Sequence, residues 1–111
     1  MVSLILNGKE YILATNLRVA YNVQSQHNHK SYMEIFQNID TMSLEDQIGI
    51  LYEAAKIGTD KESMPNKQDF LYEYLDAPEA NVSTLMGILK QIFEGILGKK
   101  IEVNEDGTSG E

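Results

Sequence analysis

Cysteine is absent from all 111 residues. Without a thiol there is no disulfide framework, no thiolate nucleophile and no cysteine metal site, a composition that suits a reducing cytoplasm. Basic residues are scarce as well: nine lysines and arginines face seventeen acids, a formal charge of −8. Phosphate binding needs a basic surface, so nucleic acid is not an expected partner. No apolar run approaches the length of a membrane span, and Met1 is not followed by a basic and then apolar signal segment. Internal repeats are missing too.

Catalytic patterns are equally thin. No Ser-His-Asp order, Gly-rich phosphate loop or paired carboxylate pattern stands out. His27 and His29 are spaced H-x-H on an expected loop, and no cysteine or nearby acid completes a first shell for zinc. Asn104, Glu105, Asp106 and Gly107 begin like a calcium loop but lack its downstream ligands. Glu45 and Asp46 open a helix, where acids favour the dipole without a catalytic role. Neither an enzyme nor a cofactor is expected.

What is present is enough apolar material, 42%, for one folded domain with a single modest core. Its most informative stretch is Asn81 to Leu97. Read as a helix, it places Val82, Leu85, Met86, Leu89, Ile92, Phe93 and Ile96 on one face, with Ile88 and Leu97 at the two edges. Asn81 is a suitable N-cap, and Gly98 stands where a left-handed residue ends a helix.

The chain opens on two β-prone runs flanking Asn7-Gly8, a strong hairpin signal because both residues tolerate the positive φ of a type I′ turn. A two-residue loop pairs Leu6 with Lys9, Leu4 with Tyr11 and Val2 with Leu13, so those apolar residues share one face and Ile5 and Ile12 the other. The outer edges of such a hairpin could accept another strand. Thr15 or Asn16 then caps a helix with Leu17, Ala20, Tyr21 and Gln24 on one side and Val19 and Val23 adding breadth; Ser31 caps a short helix carrying Tyr32, Ile35, Phe36 and Ile39. Ser43 with Asp46 makes a capping-box-like start for Leu44, Ile48, Leu51, Tyr52 and Ala55, and Gly58 marks the stop. Asn66 with Asp69 opens a helix bearing Phe70, Leu71, Tyr74 and Leu75, and Pro78 separates it from the last.

The expected fold is therefore mostly α (α+β). A hairpin at 2–13 precedes four to five amphipathic helices at about 16–26, 31–39, 44–57, 67–76 and 82–97, packed around the long last helix in one domain, 1–98. Residues 99–111 read as a polar, flexible tail, within which Lys100 to Val103 alternates weakly enough to suggest a brief third strand. Charge is uneven: three bases balance three acids up to Met42, whereas from Ser43 to Leu97 ten acids face four lysines, a net of −6. Either this is a solubility-promoting surface or it steers a basic partner.

The leading hairpin with its N-G-K-E-Y core (Asn7 to Tyr11) passes straight into a helix at Leu17 to Val23. It is followed by S-L-x-D-x-I-x-x-L-Y-x-A at Ser43 to Ala54 and F-L-x-E-Y-L-D at Phe70 to Asp76. In this order, over about residues 1–97, the chain resembles the small tail assembly chaperones of long-tailed bacteriophages and prophages, especially those of Gram-positive hosts. It departs from their pattern in a first helix rich in glutamine and histidine near its end. The resemblance implies a non-catalytic cytoplasmic protein that binds the helical tape measure protein and helps recruit tail tube subunits. It also implies absence from the finished virion, and in many such phages a longer, frameshifted form; here Gly98-Lys99-Lys100 could be encoded by a slippery run. Self-association stays open. On that reading the edge row Ile88, Ile92 and Ile96 of the last helix, with Leu89 and Phe93 toward the centre, is the candidate partner surface, unless all five are core. Two other readings are a small acidic interaction protein that mimics nucleic acid or inhibits a DNA-binding enzyme, and a structural component of the tail.

Overall fold

Asn7 (φ 54°) and Gly8 (φ 84°) both take the left-handed conformation that a type I′ turn demands. They fix the register of strands β1 (Val2–Leu6) and β2 (Lys9–Leu13) as Val2 with Leu13, Leu4 with Tyr11 and Leu6 with Lys9. Period-two alternation then buries Leu4, Leu6, Tyr11 and Leu13 on one face and leaves Ser3, Ile5 and Glu10 exposed on the other. The computed structural model describes residues 2–98.

Five helices follow: α1 (Leu17–Gln26), α2 (Tyr32–Gln37), α3 (Leu44–Gly58), α4 (Lys67–Asp76) and α5 (Val82–Leu97). Each begins on a side-chain oxygen that accepts a first-turn amide: Asn16 from Arg18, Ser31 from Met33, Ser43 from Asp46, Asn66 from Asp69 and Asn81 from Thr84. Gly98 closes α5 in the left-handed conformation, at φ 81°. The second helix is shorter than expected. It stops at Gln37, and Ile39–Thr41 continues as a single 3₁₀ turn. A second such turn, Lys61–Ser63, lies between α3 and α4.

Within this mostly helical fold the centre is α3 rather than the last helix. Along α3 every residue from Gln47 to Ala55 except Gly49 is buried, and the helix touches β2, α1, α4 and α5. A helix apolar on nearly all sides belongs inside, and the small residues Gly49, Ala54, Ala55 and Gly58 let neighbours approach it closely. At Gly58 an added Cβ would lie 2.4 Å from the Ile12 carbonyl oxygen. The long α5 instead forms one wall, burying Leu85, Leu89 and Ile92.

The first helix is also turned differently from its expected face. It buries Val19, Ala20 and Val23 and leaves Leu17 and Tyr21 exposed, roughly a third of a turn away. Both arcs of α1 carry apolar residues, so periodicity alone did not choose between them. Three ring contacts tie the layers together. Phe70 meets Tyr11 edge-on at 5.3 Å and Tyr52 at 5.4 Å, while Phe36 of α2 stacks on Phe93 of α5 at 4.7 Å. The suggested tail and third strand, at 99–111, lie outside the described residues.

Candidate interaction site

The residues expected at a partner surface are divided by the fold. Leu89 and Ile92 are 1% and 0% exposed, so they belong to the core. Phe93 is half-buried against Phe36, and Ile96 is half-buried at the far end of α5. Ile88 lines an open groove beside β1. The row Ile88, Ile92 and Ile96 therefore does not form a continuous open surface. The fold uses its middle member as filling.

Exposed apolar surface collects elsewhere, along the junction of α3 with α4. Lys67 lies against Gly49, and Leu75 lines the same notch as Leu44, so α4 runs back along the first half of α3. On each helix two aliphatic residues one turn apart face the furrow between them, Leu44 and Ile48 on α3 and Leu71 and Leu75 on α4. One end of the furrow is a cleft of about 400 Å³ floored by Ile48, Tyr52, Phe70 and Leu71, and rimmed by Glu45 and Lys67. Its other end is a notch of about 120 Å³ closed by Val82 and Leu85 at the start of α5. Ile48 lines both. Leu44, Leu75 and Val82 are 46%, 44% and 67% exposed, three large aliphatic side chains around one depression. A cluster of that kind is more informative than the same residues scattered singly.

Polar chemistry around this surface is sparse. Tyr74 lines the notch with a buried hydroxyl that has no hydrogen-bond partner among the described residues, a condition that costs about 1–3 kcal/mol. Burial pushes its titration above the ordinary tyrosine value. Tyr11, by contrast, donates its hydroxyl to a Glu73 carboxylate oxygen at 2.6 Å. Burial first, and then the Glu73 bond and charge, raise its pKa strongly. Tyr52 donates to the Pro65 carbonyl at 3.0 Å, which pins the α3–α4 connection.

Glu53 is a buried acid whose Oε1 lies 3.3 Å from the Lys56 ammonium and has no hydrogen bond among the described residues. It faces a polar crevice of only about 40 Å³, room for little more than a water. His27 and His29 stand in the turn after α1, with Asn28 and His29 in the left-handed region at φ 58° and 59°. Among the described residues no group of three or more His, Asp and Glu side chains could hold a metal ion, and no helix is long and apolar enough to cross a membrane.

The furrow was hidden from sequence reasoning because Leu44 and Leu75 fit the apolar stripes of their helices as well as core residues do. A usable signal was available in their positions at the first turn of α3 and the last turn of α4, where less neighbouring structure is at hand to cover them. Compared with protein-family models, with curated proteins and with solved structures, the chain matches none.

Proposed function

We propose that this chain is a non-catalytic assembly factor that shelters an apolar helical segment of another protein in the α3–α4 furrow. The observation that carries this reading is the set of exposed aliphatic side chains Leu44, Leu75 and Val82 around the Ile48 floor. Aliphatic residues spaced one turn apart on two antiparallel helices suit the i, i+3, i+4 and i+7 anchors of an amphipathic partner helix. The acidic exterior keeps such a protein soluble while that surface is open.

Joined to the resemblance of its hairpin and helical segments, this makes the chain a phage tail assembly chaperone. Its client is then the tape measure protein, with tail tube subunits recruited to the complex in the host cytoplasm and the chaperone left out of the mature particle. The test is co-purification with a tape measure protein co-expressed with this chain. Leu75→Asp and Leu44→Asp alter exposed positions, so they should keep the circular dichroism and melting of the parent while losing the client. If both variants stay folded and still retain it, the furrow is not the site. Phe93→Asp is the wrong probe, because Phe93 is stacked on Phe36 and its loss damages the core.

A further inference from the structure

The two strands of the hairpin have unlike outer edges. In this register Ser3 and Ile12 form a pair whose backbone groups point away from each other, as do Ile5 and Glu10. On the β2 side Ile12 is covered: its amide donates to Thr59 Oγ1 at 2.9 Å, and the same hydroxyl donates back to the Ile12 carbonyl at 3.0 Å. Ala14 then continues this edge onto the Ala54 carbonyl of α3. On the β1 side no partner for the outward N–H and C=O of Ser3 and Ile5 is found among the described residues. These groups border a groove of about 230 Å³ whose far wall is Thr84 and Ile88 of α5.

We propose that this groove is a strand-addition site, which takes an extended, cation-bearing segment of a partner protein between β1 and α5. Ser3 and Ile5 offer two donors and two acceptors at strand spacing. Half-buried Ile88 supplies the accessible apolar wall for a guest side chain, over the buried Leu4 and Leu6 beneath. Tyr74, whose buried hydroxyl has no partner among the described residues, lines this groove as well as the notch of the furrow. Charge selects the guest. Glu79 is the one charged residue lining the groove among those described, its carboxylate already accepting from the Asn7 amide, and Glu10 stands opposite Ile5 across the hairpin. A strand carrying lysine or arginine beside its apolar residues complements that rim. A second copy of this chain does not: each brings a charge of −8, and a five-residue edge falls well short of the roughly 1,000 Å² a stable interface buries. The groove adjoins the notch of the furrow at Tyr74 and Ala80, but the strand edge of Ser3 and Ile5 is no part of the furrow, and Leu44, Leu75 and Val82 are no part of the groove, so variants at those residues test the two independently.

The test uses the full chain, isotope-labelled, and a synthetic peptide Lys-Val-Thr-Val-Thr-Val-Lys with blocked ends. Its controls are the same peptide N-methylated at alternate residues and a version with glutamate in place of lysine. Binding should shift the Ser3 and Ile5 amide signals and slow their hydrogen exchange about ten-fold. The N-methylated peptide, the glutamate peptide and the Ser3→Pro variant, whose lost amide is not used in the hairpin, should each bind at least about ten-fold more weakly. The proposal is overturned if those amides do not respond, or if the N-methylated or glutamate peptide binds as well as the original. It also falls if Ser3 and Ile5 are already protected without peptide, and lose that protection on deletion of residues 99–111 or on dilution. The groove would then belong to the chain's own end or to a second copy.

Discussion

Gly58 and Gly87 both sit in helices, and a single methyl group should separate their roles. At Gly58 a Cβ would meet the Ile12 carbonyl oxygen at 2.4 Å and the Ala14 amide nitrogen at 2.9 Å, both backbone atoms that cannot step aside. Gly58→Ala should therefore cost about 2–3 kcal/mol through overpacking. Gly87 has nothing within 4 Å of that position and lies on the exposed side of α5. Gly87→Ala should stabilise by about 0.5–1 kcal/mol, from helix propensity alone. Urea titration of the two variants decides it, and equal midpoints would contradict the packing at Gly58. Alkaline titration probes a second pair of residues. The Tyr11 and Tyr74 hydroxyls are both held above the ordinary tyrosine value, so the unfolded chain gives up those protons first. Their contribution is fully present below about pH 10 and is lost as pH rises beyond it. Urea midpoints at pH 8 and pH 11 should show that loss, and Tyr11→Phe should shrink it while lowering stability at pH 8.

At the scale of elements, local chemistry written in the sequence decided where each element begins, and packing decided which one lies at the centre. Asn7-Gly8 fixed the hairpin register, and the asparagines and serines before each helix fixed five starts, because turn and cap requirements involve residues a few positions apart. The rank of the helices was not readable that way. The stripe of α5 is broader in sequence, yet α3 lies inside, because Gly49, Ala54, Ala55 and Gly58 admit neighbours from several directions. Those small residues give no periodic signal. The same limit hid the partner surface: periodicity marks Leu44 and Leu75 as apolar positions and cannot report that the fold leaves them half exposed at the start of α3 and the end of α4. Thr59 is a third case, a single polar residue after a helix end that closes the outer edge of β2 through both backbone groups of Ile12. Thr59→Val keeps the shape and removes both bonds. It should destabilise by about 1–3 kcal/mol and speed hydrogen exchange at Ile12, while Thr59→Ser should restore most of the loss.

For the molecule as a whole the question is what the excess of carboxylates does. Residues 2–98 carry thirteen acids against seven lysines and arginines. Ion pairs join Lys56 to Glu53 and Lys90 to Glu94, the latter at a loose 4.0 Å. Most of this charge is exposed, so self-repulsion opposes folding at low ionic strength and is screened as salt is added. Raising sodium chloride from about 20 to about 500 mM should stabilise the fold by roughly 1 kcal/mol, seen as a melting temperature roughly 4–8 °C higher. The same salt series separates the two roles such a surface can have. A client held by Leu44, Leu75 and Val82 relies on apolar burial, so its affinity should change less than about two-fold over that range. If the carboxylates instead steer a basic partner, its association rate should fall steeply, by about ten-fold or more. Melting curves and binding kinetics recorded in one set of buffers therefore test fold and function together. A rising melting temperature with constant affinity fits a solubilising surface around an apolar furrow. A rising melting temperature with collapsing association would move the site from the furrow to the acids.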